Sequence, residues 1–517
     1  MIAITRANAA LAFASGLLLS SCALSTDSGA AGNESAAEAA QPLGRHNTHY
    51  QLVRVAEYRG ESTTATGSAR WYMPSVIDDQ DGDGQSDLLI GQPYGHGSDP
   101  TRQGAVRILS GADLHVVRTI SPGDVDNELE GTFGYSAYAL GDLNHDGVTD
   151  LAIGSPVIRG RNPSDGTLDP AGYHNTGVTW LLKSQPAGGY AVERLLGDDP
   201  SGFFGYWMAP ISLELPRLLR HGPPGTGRFP RLPVLGLASS QARFRAGRVW
   251  GIEPRTATVA YRASDDPANN DTISERRGYF IAAAADLDGN GITDILSTAN
   301  GQWAAGDPDP RRYAGRVYVN DGLTGRLIRV IEGASDNQML GNRSGARQID
   351  DVDGDGVDDL LVGTAQDATA SGVTQGGVAY VISGRAIRTA QETVLNLAAH
   401  PEIILRTHTG SHAGELLGDN MTNLFDLDGD GVDEYAISAF GTVSSTPNTG
   451  AVIIYSGRTG AELQRLTGEA ANLFFGQQTL ADRGNGTLYV CDVYFPDPAT
   501  GRSIGRVTLY RAAPITE

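Results

Sequence analysis

Five short acidic loops recur along the chain, and their residue types and spacing are those of a cation-binding loop. Each has Asp or Asn at positions 1, 3 and 5, Gly at position 6 and a carboxylate at position 9. Oxygen ligands at alternate positions can surround a hard cation, and the glycine permits the positive φ that turns the loop back on itself. The predicted side-chain ligands are Asp79, Asp81, Asp83 and Asp87; Asp142, Asn144, Asp146 and Asp150; Asp286, Asp288, Asn290 and Asp294; Asp351, Asp353, Asp355 and Asp359; and Asp426, Asp428, Asp430 and Glu434.

Calcium is the ion that this pattern favours. A flexible set of six or seven oxygens suits calcium better than magnesium, and one backbone carbonyl per loop would add a ligand, from Gln85, Val148, Ile292, Val357 and Val432. An EF-hand closes with a bidentate Glu at position 12, whereas position 12 holds Ile90, Ile153, Ser297, Val362 and Ile437 here, each inside a predicted strand. We therefore expect position 9 to close each loop and about five calcium ions to bind.

The alternative is a set of acidic hairpin turns without metal. Up to four carboxylates would then lie within a few ångströms of one another and repel strongly unless a cation sat among them. This repulsion favours the cation-binding interpretation.

The acidic loops belong to a longer repeat. A Gly-bounded run of alternating β-branched and aromatic residues occurs seven times, beginning at Gly104, Gly177, Gly247, Gly315, Gly377, Gly450 and Gly505. Each run is preceded by two apolar segments that flank the acidic loop and is usually followed by another, which predicts four strands per unit. Such repeats predict an all-β fold, a seven-bladed β-propeller over residues 46–512 followed by a tail at 513–517.

Two segments outside the regular pattern have predicted roles. The last unit ends too early for a fourth strand, and residues 50–59 match the fourth-strand pattern, so we expect them to pair with the strand at Gly505 and close the ring. The insertion from Arg385 to His400 has the spacing of a short amphipathic helix that would cover a blade.

The combined pattern resembles the FG-GAP repeat family, whose best-known members are the seven-bladed propeller domains of integrin α subunits. The motif pairs that carry the resemblance are Phe133-Gly134, Phe204-Gly205, Leu340-Gly341, Leu417-Gly418 and Phe475-Gly476, with Gly91-Gln92-Pro93 and Gly154-Ser155-Pro156 in its second half. The resemblance implies that the calcium ions are structural rather than catalytic.

The amino terminus predicts a bacterial lipoprotein. An apolar stretch too short to span a bilayer ends in Leu19-Ser20-Ser21-Cys22, which resembles a lipoprotein cleavage box. We expect a signal peptide over 1–21, lipidation of Cys22, a disordered tether over 22–45, and attachment to the cell envelope, either at the outer membrane or at the cell surface. An incidental cysteine after an ordinary signal peptide is the alternative.

Charge excludes one class of partner. The net charge is −21, and the sequence has no basic stripe that could neutralise phosphates. A nucleic-acid partner is therefore not expected. Arg and aromatic residues instead concentrate in loops predicted on the face opposite the metal loops, where a protein or glycan ligand could bind. The candidate ligand-binding residues are Tyr94, Arg102, Tyr173, Trp303, Arg312 and Tyr313.

No catalytic motif is apparent in the sequence. The chain has no HExxH or GxSxG pattern and no nucleophile with a base nearby in sequence. The leading hypothesis is thus a lipid-anchored binding or adhesion propeller stabilised by calcium. A calcium-dependent polysaccharide lyase or phosphoesterase, or a non-catalytic scaffold for envelope assembly, are the alternatives.

Overall fold

The computed structural model describes residues 49–60, 72–93, 102–125, 131–157, 176–185, 188–197, 202–211, 234–239, 247–263, 277–299, 314–335, 338–342, 345–365, 372–441, 449–469, 473–501 and 503–515. The predicted signal peptide, Cys22 and the predicted tether lie outside the described residues. In the part of the chain that is described, no helix combines the length and hydropathy needed to cross a bilayer.

Strands are the main secondary structure of the described residues, and each sheet is built on four antiparallel strands, to which two of the sheets add a short parallel strand. The first strand, β1 (Tyr50–Arg59), belongs to the last sheet. The first three sheets contain β2 (Tyr72–Ile77), β3 (Asp87–Gln92), β4 (Arg102–Leu109) and β5 (Val116–Ile120); β7 (Ser136–Gly141), β8 (Asp150–Ser155), β9 (Val178–Ser184) and β10 (Tyr190–Leu196); and β11 (Phe204–Ile211), β12 (Val234–Ser239), β13 (Arg248–Glu253) and β14 (Thr258–Arg262). A short strand, β6 (Gly131–Phe133), pairs in parallel with β4.

The remaining sheets repeat this arrangement. They contain β15 (Phe280–Ala283), β16 (Ile295–Ala299), β17 (Arg316–Asn320) and β18 (Leu327–Glu332); β19 (Ala346–Gln348), β20 (Leu360–Thr364), β21 (Val378–Ile382) and β23 (Ile404–Thr409); β24 (Leu417–Asn423), β25 (Tyr435–Ala439), β26 (Ala451–Tyr455) and β27 (Glu462–Thr467); and β28 (Gln478–Asp482), β29 (Thr487–Asp492) and β30 (Arg506–Pro514) with β1. The described residues thus form seven sheets. Two helices, α1 (Pro122–Val125) and α2 (Gly384–Thr389), and a 3-10 turn at Pro401–Ile403 complete the elements that are described.

The sheets are arranged as the blades of a β-propeller. Their innermost strands contact one another in a closed cycle, in the order β2, β7, β11, β15, β19, β24, β28 and back to β2. The second strands, such as β3 and β8, are buried along their whole length because a neighbouring sheet packs on each face. The outermost strands, such as β14, are mostly exposed.

The ring closes through the two ends of the propeller, as the sequence predicts. Strand β1 pairs antiparallel with β30 from Tyr50 opposite Pro514 to Arg59 opposite Arg506. Because β1 supplies the fourth strand of the last sheet, that sheet joins the two ends of the propeller and leaves no unpaired edge on β30.

Glycine at the start of each third strand is required by the junction between neighbouring sheets. Gly377 has a φ of +85° and forms a parallel bridge with Leu417, the residue before the motif glycine of the next sheet. A Cβ at Gly377 would lie 2.1 Å from the carbonyl oxygen of Leu417. The same bridge joins Gly177 to Phe204, which explains why the motif pairs and the strand-initiating glycines recur together.

The insertion at residues 385–400 differs from its prediction. The helix α2 has Ser383 as its N-cap and ends at Thr389, because Ala390 has a non-helical backbone, with a φ of −55° and a ψ of 146°. The chain then forms β22 (Val394–Asn396), which pairs in parallel with β18 of the preceding sheet. The predicted helix is therefore wrong beyond Thr389, since an open sheet edge competes for those residues. The insertion does cover a blade, with Ile387, Leu395 and Leu397 buried.

Replacing Gly377 with Ala should destabilise the propeller by roughly 2–4 kcal/mol, because the new Cβ overlaps the backbone of the next sheet. Gly372→Ala is the matched control, since Gly372 also has a positive φ, of +70°, but no atom lies within 4 Å of the position that a Cβ would take there. Its cost should be about 1 kcal/mol. Chemical denaturation measures both, and equal losses for the two variants would contradict the steric account of the junction.

Candidate metal centres and ligand-binding face

The five acidic loops share one backbone conformation. The glycine at position 6 has a positive φ in every loop, between +86° and +93°, as predicted. Position 4 also has a positive φ, at Gly82, Gly289, Gly354 and Gly429 and at His145 in the second loop. In the fourth loop, the Asp351 carboxylate accepts hydrogen bonds from the backbone N–H groups of Gly354, Asp355 and Gly356 at 2.7–3.0 Å. Because of these bonds, the backbone of the loop curls around the carboxylate at position 1.

This conformation brings carboxylates together in four of the loops. One oxygen from each of three residues lies within 4.8 Å of the others, in the sets Asp79, Asp81 and Asp87; Asp286, Asp288 and Asp294; Asp351, Asp353 and Asp355; and Asp426, Asp428 and Glu434. The donors are all hard oxygens, which is the donor set that calcium prefers.

The second loop is organised differently. Asn144 takes the place of a carboxylate at position 3 and donates its amide N–H to the carbonyl oxygen of Ser184 at 2.6 Å. The Ser184 hydroxyl donates to Asp146 and Asp150 at 2.8–3.1 Å. In this loop the Ser184 hydroxyl therefore already occupies carboxylate oxygens that a cation would otherwise bind.

The carboxylate at position 9 is the anchor of each loop. In the fourth loop, one Asp359 oxygen accepts from the N–H of Val352 at 3.0 Å and the other from the N–H of Gly384 at 2.9 Å. Gly384 lies after the third strand, so the metal loops and the connections between strands three and four occupy the same face of the propeller. Asp87, Asp150 and Asp294 make the corresponding pair of bonds, to Gly111, Ser184 and Gly322 on that side.

Burial makes these anchoring carboxylates poor acids. Desolvation raises the pKa of Asp294 to about 8, that of Asp359 to about 7 and that of Glu434 to about 8, and neighbouring loop carboxylates raise them further. The pKa of Asp87 rises to about 6 for the same reason. A positive charge inside each loop would reverse this penalty, because it favours the ionised form.

Glu434 provides a direct test of whether a cation fits. One of its oxygens accepts from the N–H of Leu427, but the other, Oε1, is buried and has no hydrogen-bond partner. The whole residue is inaccessible to solvent and faces Asp426 and Asp428. A buried acceptor without a donor costs about 1–3 kcal/mol unless something else satisfies it. A calcium ion coordinated by this oxygen would satisfy it.

Sequence reasoning missed a set of basic residues that contact the loops. Each comes from the segment after the third strand of the same sheet and reaches a loop carboxylate, in the pairs Arg326 and Asp288 at 2.8 Å, Arg385 and Asp355 at 3.3 Å, Arg458 and Asp430 at 3.2 Å, and His115 and Asp81 at 3.5 Å. The recurring basic residue in segments such as SGRTG could have revealed them. They reduce the repulsion among the loop carboxylates, so repulsion alone is a weaker argument for calcium than the sequence suggests.

The predicted ligand-binding residues cannot be placed on the opposite face. Tyr94, Tyr173, Trp303, Arg312 and Tyr313 lie outside the described residues. Arg102 begins β4, but only its backbone is described. These residues remain predictions.

Three tyrosines that the sequence reasoning overlooked line up on that face. Tyr135, Tyr206 and Tyr279 each follow a motif glycine at the start of an innermost strand, at the end of the strand away from the metal loops. Their rings form a ladder across three neighbouring sheets, with centroids 4.9 Å apart between Tyr135 and Tyr206 and 6.2 Å apart between Tyr206 and Tyr279. All three rings are partly exposed.

Among the described residues, the ladder is confined to three neighbouring sheets. In three other sheets the equivalent residue is polar, at Asn342, Asp419 and Gln477. The signal in the sequence was a tyrosine repeated directly after the motif glycine in three consecutive units. We call Tyr135, Tyr206 and Tyr279 the tyrosine ladder.

Comparison with known proteins supports the type of repeat. The FG-GAP repeat family matches residues 133–167. The chain is 27% identical to integrin alpha-4 of Xenopus laevis over 229 residues, which cover 42% of this chain and 19% of that protein. It is 36% identical to human integrin alpha-7 over 223 residues, covering 43% of this chain and 16% of the relative. The matched segments thus span less than a fifth of these relatives. Among solved structures, the Dos1 propeller aligns over 89% of this chain and 95% of its own at 11% identity, with a TM-score of 0.44.

Calcium should stabilise the protein more at pH 8 than at pH 5. The folded-state pKa values of Asp294, Asp359 and Glu434 lie near 7–8, above about 4 for unfolded carboxyl groups, so the cation-free fold holds more protons than the unfolded chain between these values. Its stability therefore falls as pH rises through that window, and a bound cation removes the loss. Thermal melts in chelator and in calcium at both pH values measure the difference.

Glu434→Gln is the informative variant for this experiment. Removing the buried charge should raise the melting temperature in chelator at pH 8 and shrink the gain on adding calcium, whereas Glu462→Gln on the exposed strand β27 should change neither. Identical melting curves in chelator and calcium at pH 8 would contradict the metal assignment.

Proposed function

We propose that this chain is a non-catalytic binding propeller, stabilised by calcium, that recognises a protein ligand on the face opposite its metal loops. The observation that carries the proposal is the tyrosine ladder, a partly exposed aromatic surface at the start of three neighbouring innermost strands. Tyr and Arg side chains provide a large share of the binding energy in protein interfaces.

The architecture supports different roles for the two faces, with cation binding on one and ligand recognition on the other. Anchoring carboxylates such as Asp359 join the strand one to two loop to the segment after strand three, so a cation there would brace the rim of each blade. On the other face, the bridges between sheets hold the backbone beside Tyr135 and Tyr206 in place. A rigid surface loses little conformational freedom when a ligand binds, which favours recognition.

The similarity to integrin alpha subunits favours a binding role over the enzymatic alternatives. We propose that the seven sheets are the blades of one seven-bladed ring of the integrin-like type, with up to five calcium ions in the loops at 79–87, 142–150, 286–294, 351–359 and 426–434. A glycan ligand, which the aromatic surface would also accommodate by stacking, is the second candidate.

Tyr206→Ala should weaken ligand binding by about tenfold or more, because the variant removes the central ring of the ladder. Tyr190→Ala is the matched control, since Tyr190 is a partly exposed tyrosine on the outer strand β10. Protein partners and glycans from an array would be tested by surface plasmon resonance against the calcium-loaded chain. A ligand whose affinity survives Tyr206→Ala but is lost on altering the metal loops would place recognition on the metal face and contradict the proposal.

We also propose that a lipid on Cys22 attaches the propeller to a bacterial envelope. The support is the Leu19-Ser20-Ser21-Cys22 sequence after a short apolar stretch and the polar residues that follow it. Cells expressing the full chain and fed an alkyne-labelled fatty acid should yield a labelled protein in the membrane fraction. Cys22→Ser should abolish the label and Cys491→Ser should not, because Cys491 is buried in β29. Equal labelling of both variants would refute lipidation at Cys22.

A further inference from the structure

An arginine with no carboxylate partner among the described residues lies in the innermost layer of the propeller. Arg347 is the middle residue of β19, and its guanidinium lies over the ring of Phe280 in the preceding sheet, 4.2 Å from the ring centroid. Its Nη1 donates to the carbonyl oxygen of Ala346 at 3.2 Å. Within the described part of the chain it forms no ion pair, in contrast to the arginines of the metal face.

The surroundings of Arg347 leave its charge poorly compensated. Burial lowers the pKa of Arg347 to about 10, and the side chain remains charged at neutral pH. The titratable group that interacts with its charge is the Tyr138 hydroxyl, which belongs to a strand three sheets away around the ring. Burial raises the pKa of Tyr138 to about 12, so this hydroxyl stays neutral. A partly desolvated cation without a counter-charge is costly, and an incoming anion would relieve that cost.

A chain of direct contacts joins Arg347 to the tyrosine ladder. Phe280, which the guanidinium covers, also meets the ring of Trp207 edge-on at 4.7 Å. Trp207 directly follows Tyr206, and both Tyr135 and Tyr206 pack against the core cluster that contains Trp207 and Phe280. The guanidinium therefore lies behind the aromatic surface on which we place the ligand.

We propose that the innermost layer behind the tyrosine ladder is an anion-binding subsite, in which Arg347 receives a carboxylate from an acidic segment of the protein ligand. The proposal rests on the proposed function, because the ligand must first dock on the ladder. Arginine presents parallel N–H donors that match the two oxygens of a carboxylate, and such charge-assisted pairs are stronger than neutral hydrogen bonds.

The geometry favours a protein carboxylate over an acidic sugar. Arg347 lies on the short strand β19 of the innermost layer, so an anion must reach it from the space that the innermost strands enclose. A single Asp or Glu side chain on an extended arm can enter such a space more readily than a pyranose ring. The rings of the ladder also lie close to one another, with centroids 4.9 Å and 6.2 Å apart, which leaves less room for a sugar to stack upon each ring face.

The experiment uses the calcium-loaded full chain and two capped heptapeptides, one with a single central Glu flanked by Gly and one with Gln in its place. Isothermal titration calorimetry should show the Glu peptide binding about tenfold more tightly than the Gln peptide. Arg347→Gln should remove this difference, and Arg347→Lys should reduce it, because lysine keeps the charge but loses the paired donors. Arg465→Gln on the outer strand β27 is the control and should leave the difference intact.

The comparison of the two peptides on the unaltered protein needs no variant, so a poorly folding Arg347→Gln does not remove the test. Equal affinity for both peptides, or binding to neither, would overturn the proposal. Tighter binding of an oligomer of uronic acid than of the Glu peptide would also overturn it and assign the subsite to a glycan. If the peptides are not discriminated while Tyr206→Ala still weakens a protein ligand, the proposed function stands and the anion subsite fails.

Discussion

A buried carboxylate at the ninth position of each acidic loop is the constraint on which the metal face depends. Asp359 and its counterparts Asp87, Asp150 and Asp294 each bind two backbone N–H groups from different connections of the same sheet. That double attachment fixes the rim of the blade, but it also places an acid where its ionised form is poorly solvated. The fold therefore combines a precise anchor with an electrostatic penalty that a cation can remove.

The opposite face also depends on one contact that is repeated between neighbouring sheets. A glycine that begins each third strand, such as Gly377, allows backbone contact with the next sheet. That contact fixes the residue after the following motif glycine, which is a tyrosine in three consecutive units. The repeat that closes the ring thus also positions the aromatic surface, and the Arg347 guanidinium lies behind it without a carboxylate of its own among the described residues.

Much of this architecture could be predicted from sequence because the same pattern of strands and loops recurs along the chain. The strand pattern, the positive φ at the loop glycines and the pairing of residues 50–59 with the last sheet all follow from local composition and spacing. The helix beyond Thr389 could not be predicted correctly, since Val394–Asn396 respond to the exposed edge of β18, a partner distant in sequence. The basic residues on the loops and the tyrosine ladder do recur in the sequence, but their contacts join side chains from different elements, and spacing along the chain does not reveal those contacts.

Calcium in the acidic loops is the central claim, and anomalous diffraction from crystals grown with calcium tests it most directly. We predict anomalous peaks within the loops at 79–87, 286–294, 351–359 and 426–434, each coordinated by the ninth-position carboxylate, with Glu434 Oε1 among the ligands. Loops without anomalous density, in which Arg326, Arg385 and Arg458 have moved in to neutralise the carboxylates, would contradict the account.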